Sequence, residues 1–278
     1  KLWEATEDQK NKSNLFKYEN FLHKRYKIKF NKNYSKLHDW SIKNPEKFWN
    51  SIWDFSNVKG KKIEKFYKSK ELFKNRFFIN SKLNFAENLL SRKDNSKAIT
   101  FINENGYKEI RKWNELNLNV GKISFYLKKI NIKEKDRVAA YLPNLIETVE
   151  SFLATVSIGA IWSSCSPDFG VNGVIERFAQ IKPKVLILCD RYYYNGKQIN
   201  VIDRLKSILK KIKSIKNVII INYPGKKHIK FKKNKGVRFE FWKNIQKLKP
   251  KKLEFKRFDF DHELAILYSS GTTGKPKC

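Results

Sequence analysis

The stretch RVAAYLPNLIETVESFLATVSIGAIWSSCSP (137–167) places two short apolar runs on either side of a helical pattern. The first run, 137–143, ends at a proline and is typical of a buried parallel strand. Apolar residues then recur at three- and four-residue steps, as on one face of a helix: Leu145, Val149, Phe152, Leu153 and Val156. The second run, AIWSSCSP (160–167), predicts another strand.

The same alternation extends in both directions along the chain. An amphipathic helix is predicted from the spacing of Trp113, Leu116, Val120, Ile123 and Leu127. A helix over 174–181 precedes the strand KVLILCD (184–190), and a helix over 202–212 precedes the strand NVIIIN (217–222). Strands that alternate with helices at this spacing predict an α/β fold in which a parallel sheet carries helices on its faces.

The aromatic-rich N-terminal part does not show this alternation of strands and helices. In NPEKFWNSIWDF (44–55), Asn44 is predicted to cap a helix and Pro45 to occupy its first position. We therefore expect a helical N-terminal extension over residues 1–80, followed by the sheet-containing domain over 81–278. The strand DHELAILYSS (261–270) is expected to be the last of that domain.

The charge of the chain admits two interpretations. Its 278 residues carry 60 Lys+Arg against 27 Asp+Glu, a formal net charge of +33, and 41% of them are hydrophobic, which excludes a largely disordered chain. The excess could mark a nucleic-acid or membrane partner, or a genome composition that favours lysine. The basic stretch PGKKHIKFKKNKGVR (224–238) is expected to be a solvated loop or hairpin. A nucleic-acid patch there, with Phe231 as a stacking ring, would need a binding module that the sequence does not display.

The cysteines and the hydropathy pattern narrow the class of protein. Cys165, Cys189 and Cys278 lie far apart, which indicates neither a disulfide framework nor a zinc site. No apolar run is long enough for a membrane span, so a cytoplasmic protein without a membrane span is expected. Cys165 is interpreted as a core residue because no histidine neighbours it in sequence, and His262 as a structural residue.

The stretch ILYSSGTTGKPKC (266–278) carries the clearest chemical signal. A loop that follows a parallel strand lies at the carboxyl edge of the sheet, where open α/β folds bind ligands. Gly271 and Gly274 permit a concave run of N–H groups that can hold an anion. Hydroxyl donors and cations surround them: Ser269, Ser270, Thr272, Thr273, Lys275 and Lys277. These donors predict a polyphosphate ligand.

The loop differs from a Walker A motif. Two residues separate its glycines where that motif has four, and Pro276 follows Lys275 and disfavours a helix there. The segment YSSGTTGKPK (268–277) instead resembles the phosphate-loop motif of the adenylate-forming superfamily. LHDWSIKNPEKFWNSIWDF (37–55) looks like the N-terminal extension of short-chain acyl-CoA synthetases. LNFAENLL (83–90) and GAIWSSCSPDFGVNGVIERFAQIKPKVLI (159–187) are closest to the acetoacetyl-CoA synthetase family.

This resemblance implies an acid–thiol ligase that converts acetoacetate and ATP to acetoacetyl-AMP and then transfers the acyl group to coenzyme A. It implies that loop 269–277 grips the β- and γ-phosphates, that Lys277 is a supporting cation and that Mg²⁺ bridges phosphate oxygens. In RYYYNGKQI (191–199), Lys197 is the candidate for coenzyme A, with an ordinary surface lysine as the alternative. Acetate or propionate remains open as the acid, as does the nucleic-acid alternative.

The resemblance also implies that the chain is an N-terminal fragment. Family members carry their catalytic residues, their Mg²⁺ ligands and a mobile C-terminal domain beyond the position of Cys278, so the catalytic residues of this protein are expected downstream. The sequence contains no methionine, which favours a missing start as well. The chain alone is therefore expected to be inactive, and its oligomeric state is left open.

Overall fold

The computed structural model describes residues 2–227, 229–231, 234–249, 252–269, 274 and 276–278. The chain divides into two compact units, Lys1–Lys82 and Leu83–Cys278. Among the described residues, no helix combines the length and the apolar composition that crossing a bilayer requires.

The first unit is built mainly from helices. Their bounds are α1 Glu7–Lys12, α2 Asn14–Tyr26, α3 Tyr34–Lys43 and α4 Pro45–Phe55, followed by the short strands β1 Gly60–Lys61 and β2 Lys82–Leu83 and, between them, a 3₁₀ turn at Leu72–Lys74. Tyr18, Leu22, Phe30 and Leu37 form its buried core. The hydroxyl groups of Tyr18 and Ser51 share a hydrogen bond of 2.6 Å inside it.

The start of α4 differs in detail from the prediction. Pro45 opens the helix and Asn44 occupies the N-cap position, but the Asn44 side chain makes no capping hydrogen bond. Its Nδ2 donates instead to the carbonyl of Trp40, 3.1 Å away. The physical reason is the short connection: α3 ends at Lys43, so the backbone N–H of Asn44 and its side chain both donate to the Trp40 carbonyl at the end of the preceding helix.

The second unit alternates strands and helices. Their bounds are α5 Phe85–Leu89, β3 Lys97–Ile102, β4 Lys108–Lys112, α6 Trp113–Lys129, β5 Arg137–Tyr141, α7 Ile146–Ser157, β6 Ile161–Cys165, α8 Val171–Ile181, β7 Val185–Cys189, β8 Arg191–Tyr194, β9 Lys197–Asn200, a 3₁₀ turn Ile202–Arg204, α9 Leu205–Lys211, β10 Asn217–Ile221, β11 Arg238–Phe241 and α10 Trp242–Ile245.

A five-stranded parallel sheet is the centre of this unit, and it confirms the predicted fold class. The strand order is β11-β10-β7-β5-β6, with every described pairing parallel. All five residues of β7 and of β10 are buried, because helices cover both faces of the central strands. That coverage explains why these strands read as unbroken apolar runs in the sequence.

Three features extend beyond the predicted alternation. The stretch 224–238, expected to be a loop, ends by entering β11, which pairs with β10 from Asn217↔Arg238 to Ile220↔Phe241. Two antiparallel hairpins, β3–β4 and β8–β9, lie outside the parallel sheet. Each is short and polar on one side, so neither produces the long apolar run that identified the central strands.

The expected strand over 261–270 is present only as an extended segment beside β6. Trp162 bridges Ala265 in the parallel direction: its N–H donates to Leu264 (3.1 Å) and its carbonyl accepts from Ile266 (2.8 Å). Exposure alternates along the segment, with Leu264, Ile266 and Tyr268 half-buried and the residues between them exposed. The pairing is short because Asp261 lies in a turn, so only the middle of the segment runs along β6.

Candidate functional site

The described ends of loop 269–277 are paired to each other. The Ser269 N–H donates to the Lys277 carbonyl at 3.0 Å, and the Lys277 N–H donates to the Ser269 carbonyl at 3.2 Å. Gly274 has a φ of +108°, a conformation that favours glycine. Ser270, Gly271, Thr272, Thr273 and Lys275 lie outside the described residues. The pair closes the loop at the carboxyl end of the segment beside β6.

Helix α8 holds the chain on both sides of the loop. On the entering side, the Tyr268 hydroxyl donates to the Arg177 carbonyl at 3.2 Å. On the leaving side, Gln180 Nε2 donates to the Pro276 carbonyl at 2.9 Å. Burial raises the pKa of Tyr268 to about 12, so this phenol stays a neutral donor. Two residues one turn apart on the same helix therefore fix where the loop begins and where it ends.

The turn after β6 forms a second ordered connection at the same edge. Arg204 Nη1 donates to the carbonyls of Pro167 (2.7 Å) and Phe169 (3.1 Å). The single proton of the Tyr141 hydroxyl is shared between the same two carbonyls, and its oxygen accepts from Arg204. Burial raises the pKa of Tyr141, which keeps its hydroxyl protonated. A guanidinium from the 3₁₀ turn and a phenol from β5 thus fix the shape of the turn.

Arg177 joins this turn to the segment that leads into the loop. Its guanidinium carbon lies 4.0 Å from the centroid of the Phe169 ring and 5.9 Å from that of Tyr268. Its Nη1 donates to the Gly173 carbonyl at 2.9 Å. Contacts of a cation with a ring face are favourable, so Arg177 holds the turn and the entering side of the loop together.

Lys197 lies on a different connection. It is exposed at the start of β9, in the hairpin that leaves β7. At the base of the hairpin, Arg191 Nη2 pairs with the fully buried Asp190 Oδ2 at 3.1 Å, and Asp190 Oδ1 accepts from the Tyr223 N–H at 3.0 Å. The exits of β7 and of the segment beside β6 are three strand spacings apart, about 14 Å. The structure therefore places Lys197 at the same edge as loop 269–277 without bringing it into contact with the described ends of that loop.

Two other residues with reactive side chains are packed away from solvent. Cys165 is buried, and burial raises the pKa of its thiol to about 11, so it is a poor nucleophile at neutral pH. His262 Nε2 lies 3.1 Å from the Gly159 carbonyl, and its ring stacks on Phe258 with centroids 4.0 Å apart. Within the described part of the chain, no three His, Cys, Asp or Glu side chains cluster as a metal site would require.

The sequence did not single out the residues that hold these connections. Gln180, Arg177, Tyr141 and Arg204 lie on predicted helices and strands, but the sequence pattern does not show their contacts across the fold. A signal existed for the two arginines, because each is an arginine on a predicted helix of a lysine-rich chain, where a fork of donors suits carbonyl groups. Nothing in the local sequence marks Gln180.

Two family models match the chain. Residues 88–278 match the model described as "AMP-binding enzyme". Residues 34–89 match the model described as "Acetyl-coenzyme A synthetase N-terminus". The two matched regions together include almost all of the chain from α3 onwards.

Curated proteins and a solved structure resemble the chain over most of its length. It is 40% identical to the acetoacetyl-CoA synthetase of Gallus gallus over 254 residues, 88% of this chain and 38% of that protein. It is also 40% identical to the acetoacetyl-coenzyme A synthetase of Rhizobium meliloti (strain 1021) over 248 residues, 88% of this chain and 37% of that protein. The structure of acetoacetyl-CoA synthetase from Streptomyces lividans superposes with a TM-score of 0.89 at 27% identity, covering 99% of this chain and 42% of that one. The chain thus spans well under half the length of these relatives.

Proposed function

The chain belongs to the AMP-binding enzyme family, and on that premise we propose that the protein carrying it is an AMP-forming acid–thiol ligase acting on acetoacetate. In the first half-reaction, an oxygen of the carboxylate attacks the α-phosphorus of ATP and pyrophosphate leaves. In the second, the thiol of coenzyme A attacks the acyl carbon and AMP leaves. The products are acetoacetyl-CoA, AMP and pyrophosphate.

The observation that carries the proposal is the closed loop at the carboxyl edge of the parallel sheet. The backbone pair between Ser269 and Lys277 draws together the two ends of a segment rich in glycine and hydroxyl residues. The N–H and O–H donors of these residue types suit the phosphate oxygens of ATP. In this proposal, the binding residues are Ser269, Ser270, Gly271, Thr272, Thr273, Gly274, Lys275 and Lys277.

The charge of the departing pyrophosphate determines what the loop must do. Negative charge builds up on the β- and γ-phosphates as the bond to the α-phosphorus breaks, and fixed donors near that charge lower the barrier. The Lys277 side chain is exposed at the end of the loop, and its backbone rather than its ammonium group closes the loop. The ammonium group therefore remains available to act as the supporting cation.

Mg²⁺ would enter the site with ATP in this proposal. The described residues contain no cluster of metal-ligating side chains. In this proposal, the phosphate oxygens of ATP supply ligands for the ion. The ion would supply charge neutralisation at the phosphates when bound. The residues of this chain would orient those phosphates through backbone and hydroxyl donors.

We place coenzyme A at the hairpin β8–β9, with Lys197 as a contact for a phosphate of its nucleotide end. The hairpin leaves the carboxyl edge of the sheet, as the loop does, and its base is fixed by the buried pair of Asp190 and Arg191.

Residues 1–80 are assigned to an N-terminal extension and residues 81–278 to part of the adenylation domain. The two adjoining family matches, over 34–89 and 88–278, support that assignment.

The choice of acetoacetate is supported by the relatives, which are named acetoacetyl-CoA synthetase. The test is pyrophosphate release by the protein produced at the full length of its relatives, with ATP–Mg²⁺ and coenzyme A and with acetoacetate, acetate or propionate. We expect the highest kcat/KM with acetoacetate. A preference for acetate or propionate would overturn the substrate assignment and leave the reaction type, whereas no release with any acid would overturn both.

Added DNA serves as a further arm of that test. The nucleic-acid alternative requires binding that weakens steeply with salt and ignores ATP. The ligase proposal requires that ATP–Mg²⁺ stabilises the protein and that added DNA does not change the activity.

A further inference from the structure

The side chain of Asn84 connects three segments of the second unit. It is 1% exposed. Its Oδ1 accepts from the N–H groups of Ala86 (2.9 Å) and Glu87 (3.3 Å) and so caps α5. Its Nδ2 donates to the carbonyls of Lys256 (2.7 Å), Ser157 (3.0 Å) and Val156 (3.3 Å). One buried amide therefore ties α5 to the end of α7 and to the segment that later reaches loop 269–277.

Contacts beside Asn84 fix the register of that segment. Leu83 and Phe258 exchange backbone hydrogen bonds of 3.0 and 2.9 Å. Arg257 donates to both carboxylate oxygens of Glu87, each at 2.8 Å, which is the two-pronged geometry that fixes orientation as well as distance. The segment can therefore meet α5 in only one alignment.

Gly159 provides the space that this alignment needs. It has a φ of +77°, and a Cβ added there would lie 2.2 Å from Cζ of Phe258. The His262 ring stacks on Phe258, and its Nε2 lies 3.1 Å from the Gly159 carbonyl. Phe258 therefore packs against both the backbone of Gly159 and the ring of His262.

From this junction the segment runs without interruption to the loop. The pairing of Trp162 with Leu264 and Ile266 and the hydrogen bond from Ser163 Oγ to the Ile266 carbonyl (2.9 Å) continue the same register along β6. Because side chains alternate along an extended chain, a slip of one residue would turn Tyr268 away from α8. It would also move Ser269 away from its pairing with Lys277.

We propose that Asn84 is a positioning residue for the phosphate loop and acts through the junction of Gly159, Phe258 and His262. The inference rests on the proposed function, because it assigns to that loop the grip on ATP. Asn84 touches no substrate in this account. It fixes the point at which the segment enters the sheet, and so the place where Ser269 begins the loop.

The test compares Asn84→Asp with the matched change Asn117→Asp in the full-length protein. Asn84→Asp keeps an oxygen that caps α5 and turns the amide donor into a carboxylate oxygen facing three carbonyls. Asn117 Nδ2 likewise donates to two backbone carbonyls, those of Arg92 (2.8 Å) and Trp113 (2.9 Å), but on α6 and away from the loop. Steady-state kinetics of pyrophosphate release would give KM for ATP and for coenzyme A separately.

We expect Asn84→Asp to raise KM for ATP by about tenfold or more while KM for coenzyme A changes by less than about twofold, since a small displacement of a binding group is costly. Asn117→Asp should leave both unchanged. Loss of active enzyme with both KM values unchanged would show a merely structural role for Asn84 and overturn the proposal. If Asn84→Asp does not fold, Phe258→Leu, which keeps the amide and loosens the junction, must give the same split.

Hydrogen exchange supplies a readout that does not depend on activity. The amides of Ile266 and Ser269 should exchange faster by about tenfold or more in Asn84→Asp and remain unchanged in Asn117→Asp. Equal exchange in the two variants would overturn the positioning role. A wild-type protein that released no pyrophosphate would overturn the proposed function, and exchange at Ser269 would then decide alone whether Asn84 positions the loop.

Discussion

Two of the connections that leave the carboxyl edge of the sheet are anchored by different chemistry. The hairpin after β7 is held at its base by a buried ion pair, in which Arg191 contacts the fully buried Asp190. The loop after the segment beside β6 is held by a backbone pair, by hydrogen bonds of the Tyr268 and Gln180 side chains and by the contact of Arg177 with the Tyr268 ring.

The difference matters for function. A buried charge must stay paired, because a buried charge without its partner strongly destabilises the folded state. The ion pair therefore fixes the base of the hairpin. The described ends of the loop are paired through backbone atoms, and the Lys277 ammonium group has no ion pair among the residues that the structure describes. The two connections thus differ in whether an ion pair anchors them, and we propose that the Lys277 ammonium group is the one that meets a ligand.

The largest effect is expected from breaking the anchor of the hairpin. Asp190→Ala leaves Arg191 buried without its partner and removes the acceptor for the Tyr223 N–H, so the free energy of unfolding should fall by about 4 kcal/mol. Urea unfolding would measure it. Asp203→Ala, at an exposed position in the 3₁₀ turn, should change it by less than about 0.5 kcal/mol. Similar losses in the two variants would contradict the role of the buried pair.

A second buried carboxylate, Glu150, tests how the burial of a charge affects the free energy of unfolding. Glu150 is fully buried on α7; its Oε1 accepts from Asn119 Nδ2 and lies 2.8 Å from Arg111 Nε, while its Oε2 has no hydrogen-bond partner within the described part of the chain. Burial raises the pKa of Glu150 from 4.5 to about 7, with Arg111 and Asn119 opposing and Glu147 and Glu109 adding to the rise.

Because this pKa is raised, the protonated form favours the folded state. The resulting stabilisation is complete below about pH 4.5 and is lost as the pH rises to about 7, a change of about 3 kcal/mol. Glu150→Gln should remove that dependence and make the protein more stable than the wild type at pH 8. Urea unfolding at pH 5 and pH 8 measures the difference, with the exposed Glu176→Gln as control. An unchanged pH dependence in Glu150→Gln would contradict the raised pKa.

The loop should respond in activity and not in stability. Lys277→Ala should lower kcat/KM for ATP by about 100-fold, the usual scale for losing one preorganised charge in a water-excluded site. The melting temperature should stay within about 2 °C, since only backbone atoms of Lys277 close the loop. Lys216→Ala, an exposed lysine at the opposite edge of the sheet, is the matched control. Equal kinetics in the two variants would exclude Lys277 from the site.

The smallest effect is expected at the hairpin tip. Lys197→Ala should raise KM for coenzyme A about fivefold and leave KM for ATP unchanged, as expected for one exposed charge on a phosphate. Initial rates at varied coenzyme A measure it, again against Lys216→Ala. An unchanged KM for coenzyme A would show that Lys197 is an ordinary surface lysine.

The sheet could be predicted from the sequence because its central strands are covered on both faces. Runs such as 185–189 and 217–221 must be apolar throughout, and the helices between them must repeat at 3.6 residues. The strand β11 could not be predicted in this way. It lies at the sheet edge with Arg238 exposed, and it follows a lysine-rich stretch, so it shows neither an unbroken apolar run nor a clean alternation.

The ligand-facing residues of the candidate site stay a prediction from the sequence, whereas the residues that support the site were not predicted. Glycines, hydroxyl residues and lysines lie within nine consecutive residues, so a phosphate ligand can be predicted from that short segment alone. The supports, Gln180 on Pro276 and Asn84 on Lys256, are single polar residues whose partners lie 96 and 172 positions away. Their role depends on how the folded segments meet, which no local pattern contains.

The central claim, that loop 269–277 grips ATP during activation of an acid, is tested most directly by exchange of labelled pyrophosphate into ATP without coenzyme A. In the full-length protein we expect exchange that requires acetoacetate and falls about 100-fold in Lys277→Ala but not in Lys216→Ala. Exchange that proceeds without any acid, or that is unchanged in Lys277→Ala, would contradict the account.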